Sequence, residues 1–191
     1  MAGAWAMMNY FGEEGYIKLA AETVETTRKL AEGINAFPGL RVLGGVPEAS
    51  MFTFICEDNL NIFELNDEMN HRGWKLQLQL GTHVAPANIH LTVNRSHIGI
   101  EEAFLADLKL AVETVRNVEP SQVQRIMGEE LSGEVNEESL FRLLSRLGID
   151  PSNLPKRMAV INEVMDLLPA PVVKELLGRF MQGVLPSGLK L

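Results

Sequence analysis

Apolar residues recur near the start of the chain with the spacing of a helix that is buried on one side. From Ile17 onward they fall at Ala20, Ala21, Val24, Leu30, Ala31 and Ile34. A recurrence every three or four residues predicts an amphipathic helix. Pro38 and Gly39 follow and are typical of a helix end. The sequence therefore predicts a helix from Ile17 that ends before Pro38.

Two apolar runs after this helix predict β-strands. They cover residues 40–43 and 51–56 and are separated by the turn sequence Gly44-Gly45-Val46-Pro47. The second run is apolar at nearly every position, which predicts a strand covered on both faces.

Asn61 marks the beginning of a second predicted helix. It is followed three residues later by Glu64, a spacing that resembles a capping box. Three apolar residues then share one helix face, namely Ile62, Leu65 and Met69. Gly73 supplies the left-handed residue that commonly ends a helix.

Strict alternation of apolar and polar residues predicts two further strands, WKLQLQL (residues 74–80) and NIHLTVN (residues 88–94). In the second strand His90 and Thr92 are expected to point away from the core. A helix over about residues 100–118 follows, and its apolar stripe consists of Phe104, Leu108, Ala111, Val112 and Val115.

The predicted order of elements is α-β-β-α-β-β-α. Short strands joined without intervening helices favour an α+β fold, with a small, mostly antiparallel four-stranded sheet and helices packed on one face. After Glu119-Pro120 the pattern is helical only, and Pro155 and Pro171 fit the first turns of two helices. We therefore expect an α+β domain over residues 1–118 and an all-helical C-terminal extension over 119–191.

Composition narrows the class of protein. The chain has 191 residues, 46% of them apolar, and a formal net charge of -8. A core can be built from that apolar fraction, and the negative charge argues against nucleic acid as a partner. No positive residue precedes the first apolar run, which ends at Gly12-Glu13. Neither a signal peptide nor a membrane span is predicted, and a cytoplasmic location is expected.

Candidate chemistry in the sequence is sparse. Cys56, the single cysteine, lies in an apolar strand and fits an inert buried thiol better than a nucleophile. His83, His90 and His97 recur every seven residues and could converge as metal ligands or as acid and base. Seven residues of extended chain span roughly 20 Å, which argues against convergence. No metal site is therefore predicted.

Arg95 is the cation best placed to bind a ligand. A guanidinium just beyond a strand end can hold a carboxylate or phosphate, although a solvated loop arginine explains it as well. His90 and His97 lie near it in sequence. These residues do not make a complete active site, and no catalytic residue is assigned.

Three stretches of the chain carry recognisable motifs, in order. The first is W-A-x-M-x-x-x-G-x-x-G-Y, formed by Trp5, Ala6, Met8, Gly12, Gly15 and Tyr16. The second is an R-G-W strand entry at Arg72, Gly73 and Trp74, and the third is the next strand with His90, Thr92 and His97. Together they resemble the C-terminal (small) domain of the pyridoxal-phosphate-dependent group II decarboxylase and sphingosine-phosphate lyase family, which has fold type I. The resemblance covers about residues 4–118, whereas 119–191 match only loosely.

This resemblance implies that pyridoxal phosphate is the cofactor of the full-length enzyme. Family members hold it on a large-domain lysine that typically follows a histidine. None of the seven lysines here follows a histidine. The chain is therefore expected to bind no cofactor, to be inactive alone, and to be a truncated or separately encoded piece that lacks the large domain.

The implied function is that of a lyase fragment. The intact enzyme would decarboxylate an amino acid, a step in carboxylic acid metabolism, or cleave a C–C bond of an amino-alcohol phosphate. Residues 1–35 would form the inter-domain helix, and His90, Arg95 and His97 would line the substrate mouth. Its partners would be the missing large pyridoxal-phosphate-binding domain, a small amine or amino acid substrate and a second copy in a homodimer.

A different class of function stays open, namely a stand-alone, non-enzymatic binding or oligomerisation module. The N-terminal apolar residues test the expected truncation. If the inter-domain helix is cut where it leaves the large domain, Trp5, Met8 and Phe11 are expected to be poorly covered within one chain or to be covered by a second copy.

Overall fold

The chain divides into two compact units, Met1–Val118 and Glu119–Leu191. The structure, a computed structural model, describes residues 2–119, 121–130, 137–149 and 155–174. We refer to the first unit as the α+β unit and to the second as the helical unit.

The α+β unit has the predicted order of elements. In chain order they are α1 (Ala2–Asn35), β1 (Leu40–Val42), β2 (Met51–Cys56), α2 (Ile62–His71), β3 (Gln77–Gln79), β4 (Asn88–Thr92), a 3-10 turn (Arg95–His97) and α3 (Glu101–Arg116). The four strands form one sheet in the order β1-β2-β4-β3, and every neighbouring pair is antiparallel. The predicted α+β fold is confirmed.

The core lies between the sheet and the helices. All five residues predicted for the α3 stripe are buried, and so are Ile62, Leu65 and Met69 of α2. The strands contribute Phe52, Phe54 and Ile89 to this core. Cross-strand partners share a face, so Arg41, Thr53, Gln77 and His90 lie on the opposite side, which we call the open face.

Local signals at the ends of α2 are confirmed. The Asn61 side chain accepts hydrogen bonds from the backbone N–H groups of Phe63 (2.8 Å) and Glu64 (3.2 Å). Gly73 follows the helix with φ 94°, a conformation that glycine adopts without steric cost.

Helix α1 begins at Ala2, before the start at Ile17 that the periodicity predicts, and ends at Asn35. Periodicity could not reveal its first turns, because residues 2–10 are exposed all round and bury no face. Gly12 breaks the helix with φ 59° and ψ -175°. We call residues 2–11, before the break, the N-terminal arm.

Two strand predictions need correction. Strand β3 covers only residues 77–79, although the predicted alternation in exposure persists from Trp74 to Leu80. It is an edge strand, and among the described residues it pairs only with β4, over Gln77–Gln79. Strand β2 is not covered on both faces along its length, since Met51 is 52% exposed. The helices pack on the face that carries Phe52 and Phe54.

The helical unit contains α4 (Val123–Glu130), α5 (Glu137–Arg146) and α6 (Ala159–Leu167), followed by helical residues 170–174. Its own core consists of Val123, Ile126, Met127, Leu143, Val164 and Leu168. Pro171 lies in a first helical turn as predicted, whereas Pro155 precedes α6 by several residues, so that prediction is wrong.

Candidate functional site

Strand β4 and the turn after it carry the three predicted site residues. His90 lies in the middle of β4 on the open face, paired with Thr53 of β2 and Gln77 of β3. Arg95 and His97 lie in the 3-10 turn that follows the strand. The fold therefore places one residue on the sheet surface and two just beyond its end.

The His90 ring is held by two threonine hydroxyls. Its Nδ1 lies 3.1 Å from Thr53 Oγ1, and its Nε2 lies 3.3 Å from Thr92 Oγ1. A hydroxyl can donate or accept, so this pair can satisfy either neutral tautomer and the imidazolium as well. The two hydroxyls thus fix the orientation of the His90 ring.

His97 shapes the turn in which it lies. Its Nδ1 accepts a hydrogen bond of 2.9 Å from the backbone N–H of Asn94, and the Asn94 side chain accepts one of 2.9 Å from the backbone N–H of Ser96. These bonds form a reciprocal capping box. His97 therefore helps to hold the conformation of the turn in which it lies.

Arg95 projects from this capped turn and is exposed. Within the part of the chain that the structure describes, its guanidinium has no hydrogen-bond or ion-pair partner. A free guanidinium on a turn with a defined backbone can bind a carboxylate or phosphate through two parallel N–H donors.

The remaining candidates do not add to this site. His83 is exposed in the loop before β4, where the Thr82 hydroxyl accepts hydrogen bonds from the backbone N–H groups of Val84 and Ala85. Among the described residues, no group of three or more His, Cys, Asp or Glu side chains could hold a metal ion. Burial raises the pKa of the Cys56 thiol to about 12, so it is not a thiolate at neutral pH.

Two features of the open face could not be read from the sequence. Thr53 contacts His90 only because β2 and β4 are neighbours. Asn88 is 5% exposed, and among the described residues its Oδ1 has no hydrogen-bond partner, although its Nδ2 donates to the carbonyl of Pro86 at 2.9 Å. The sequence does not predict this burial, because an asparagine at the start of a strand is usually exposed.

The described lysines do not fit a Schiff-base linkage to pyridoxal phosphate. Such a lysine must reach a cofactor enclosed by protein. All six that the structure describes are exposed, namely Lys18, Lys29, Lys75, Lys109, Lys156 and Lys174.

The N-terminal arm is the largest run of exposed apolar side chains in the described chain. Trp5 is 67% and Met8 57% exposed, as predicted. Phe11 is half-buried, because its ring packs against the rings of Tyr10 and Tyr16 at centroid distances of 5.1 and 5.6 Å. None of the described helices is long and apolar enough to cross a membrane.

Comparison with known proteins gives consistent matches. A family model described as "Pyridoxal-dependent enzyme, C-terminal putative HTH domain" matches residues 111–183. The chain is 39% identical over 117 residues to a sphingosine-1-phosphate lyase of Oryza sativa subsp. japonica, which covers 61% of this chain and 20% of that protein. The chain thus spans about a fifth of the length of the curated relatives it matches.

Solved structures agree with these sequence matches. A sphingosine-1-phosphate lyase of Burkholderia pseudomallei K96243 superposes with a TM-score of 0.51 at 29% identity, covering 67% of this chain and 27% of that one. A glutamate decarboxylase of Lactobacillus brevis CGMCC 1306 has a TM-score of 0.55 at 18% identity, covering 62% and 28%. The match to the glutamate decarboxylase shows a similar fold only.

Fold and matches together show that the chain is similar to the C-terminal part of pyridoxal-dependent enzymes. The resemblance found in the sequence is confirmed, since the chain is similar to sphingosine-1-phosphate lyases in sequence and fold and to a glutamate decarboxylase in fold.

Proposed function

We propose that the chain forms the C-terminal part of a pyridoxal-phosphate-dependent lyase. In this proposal residues 1–118 are the small domain, 1–35 its inter-domain helix, and 119–191 a helical extension. The observation that carries it is the 39% identity over 117 residues to a sphingosine-1-phosphate lyase. The reaction is C–C cleavage of an amino-alcohol phosphate or decarboxylation of an amino acid.

The cofactor and the catalytic residues belong to the missing large domain. This part of the proposal is supported by the exposure of every described lysine. The chain alone is then inactive. Incubation with pyridoxal phosphate, reduction with borohydride and peptide mapping should give only weak labelling spread over several lysines. A stoichiometric adduct at one lysine would contradict the proposal.

Arg95, with His90 and His97 near it in sequence, lines the substrate mouth. Both substrate classes carry an anion, either a carboxylate or a phosphate, and a guanidinium binds such groups bidentately. The capping box around Asn94 holds the Arg95 backbone in place, so little ordering is required when the anion binds. Arg95 therefore acts in substrate binding and orientation.

Steady-state kinetics test this role in a protein that joins the chain to its cofactor-binding domain. Arg95→Ala should raise KM for the anionic substrate about tenfold or more, since a charge-assisted bond contributes on the order of 1.5–3 kcal/mol. Lys109→Ala, which removes an exposed cation from α3, is the matched control and should leave KM unchanged. Equal KM and kcat in Arg95→Ala and the parent protein would refute the role.

The exposed N-terminal arm also favours a second candidate function, an oligomerisation module without enzymatic activity. Residues 2–12 carry no charge, and Trp5, Met7 and Tyr10 are at least half exposed. The coding sequence separates the two functions, because only the enzyme requires a large domain with a His-Lys pair encoded upstream. If the chain is part of the enzyme, its N-terminal arm contacts the large domain. The full-length enzyme is then expected to form a homodimer.

Two further expectations stay predictions, namely a cytoplasmic location and the absence of nucleic acid as a partner. The second rests on charge, since residues 119–191 contain ten acidic and eight basic side chains.

A further inference from the structure

The break in α1 lies at a single residue with a conformation that only glycine adopts readily. Gly12 has φ 59° and ψ -175°, whereas the residues on both sides are helical. Side chains with a Cβ are essentially excluded from this backbone region. A Cβ placed on Gly12 would nevertheless meet nothing within 4 Å, so the restriction is one of backbone conformation and not of space.

The bend is held by side chains that lie next to it in the chain. Phe11 packs over Gly15, where an added Cβ would lie 3.0 Å from Phe11 Cβ and 3.4 Å from its Cδ1. The ring of Phe11 also meets that of Tyr16 at 5.6 Å between centroids. Residues 2–10 are all exposed, so tertiary packing does not fix the direction of the N-terminal arm.

We propose that Gly12 is a hinge that sets the direction of the N-terminal arm, and that Phe11, seated on Gly15 and Tyr16, holds it bent. Glycine also adopts helical φ and ψ, so the alternative state is one continuous helix. The hinge lets the arm present its apolar side chains in either of two directions. This inference stands independently of the proposed function, since it concerns only the geometry of α1.

Distances between two spin labels across the hinge test the proposal. Cysteines replace the exposed residues Ala4 and Glu32 in the full chain, with Cys56→Ala as background. In a straight helix these positions are 28 residues apart, or about 42 Å at about 1.5 Å per residue. The parent protein should give a shorter mean distance. Gly12→Ala should lengthen it toward the straight value, because alanine favours helix and cannot adopt the bent conformation.

Two more variants complete the experiment. Gly3→Ala is the matched control, since Gly3 lies in the same helix with open space and ordinary helical geometry, and it should leave the distribution unchanged. Gly15→Ala displaces Phe11 and should broaden the distribution, adding a population at the straight distance. An unchanged distance in Gly12→Ala, or a parent distance already equal to the straight one, would overturn the proposal.

Discussion

At the scale of single residues, the end signals of α2 and the turn after β4 show how far local chemistry determines structure. Asn61 and Gly73 have the predicted conformations because each satisfies a need of its own helix end, and tertiary contacts are not required. His97 was predicted as a site residue, and the structure also gives it a local role as the acceptor for the Asn94 N–H.

The cap of α2 gives a prediction at this scale. Asn61→Ala should lower the free energy of unfolding by about 1 kcal/mol, since it leaves two backbone N–H groups without their acceptor. Denaturant titration of the α+β unit within the full chain measures this loss. Asn61→Ser, which keeps an acceptor oxygen, should lie within a few tenths of a kcal/mol of the parent. An equal loss in both variants would mean that packing at Asn61, and not capping, matters.

At the scale of elements, α4 and α5 are joined by a cluster of ion pairs. Arg146 donates to Glu129 and Glu130 at 2.8 and 2.7 Å, and Arg142 donates to Glu130 at 3.2 Å. These hydrogen bonds to arginine lower the pKa values of both carboxyl groups. The pattern of charges in the sequence did not predict the cluster, because it depends on how two helices meet.

This cluster predicts acid-dependent stability of the helical unit. A carboxyl group with a lowered pKa in the folded state stabilises that state above its unfolded pKa of about 4.3. The contribution is lost as the pH falls through the lower, folded value. Thermal melting from pH 7 to pH 3 should therefore show a fall in Tm below about pH 4.3 that is smaller in Arg146→Gln.

Lys156→Gln is the control, since Lys156 is exposed in the same unit and lies outside the cluster. It should follow the parent protein at every pH. High salt should reduce the difference between the parent and Arg146→Gln, because exposed ion pairs are screened. Identical pH profiles for the parent and Arg146→Gln would show that the ion pairs contribute nothing measurable.

At the scale of the whole molecule, the two tryptophans lie in opposite environments. Trp5 is 67% exposed in the N-terminal arm. Trp74 is half-buried, donates from Nε1 to Asp107 at 2.8 Å, and meets the ring of Phe104 edge-to-face at 5.1 Å. The fluorescence of Trp5 therefore reports on the N-terminal arm, and that of Trp74 reports on the core.

This contrast predicts that acrylamide quenches the fluorescence of the two tryptophans to different extents. Trp74→Phe, which leaves only Trp5, should be quenched strongly, and Trp5→Phe should be quenched weakly. If a second copy covers the arm, quenching of Trp5 falls as protein concentration rises, while that of Trp74 stays constant. Weak quenching of Trp5 at every dilution would contradict the exposure seen in the single chain.

The sequence by itself determined what depends on near neighbours along the chain. It predicted the order of elements, the buried stripe of α3 and the caps of α2, because periodicity and end signals act within a few residues. It also carried the family resemblance.

Only the tertiary structure decided which strands are neighbours, and with them the contact between Thr53 and His90. The bend at Gly12 likewise became visible only in three dimensions, because a glycine in a helical pattern is compatible with both a straight and a bent chain. Strand pairing joins residues far apart in sequence, and a pattern read along one strand does not specify its partner.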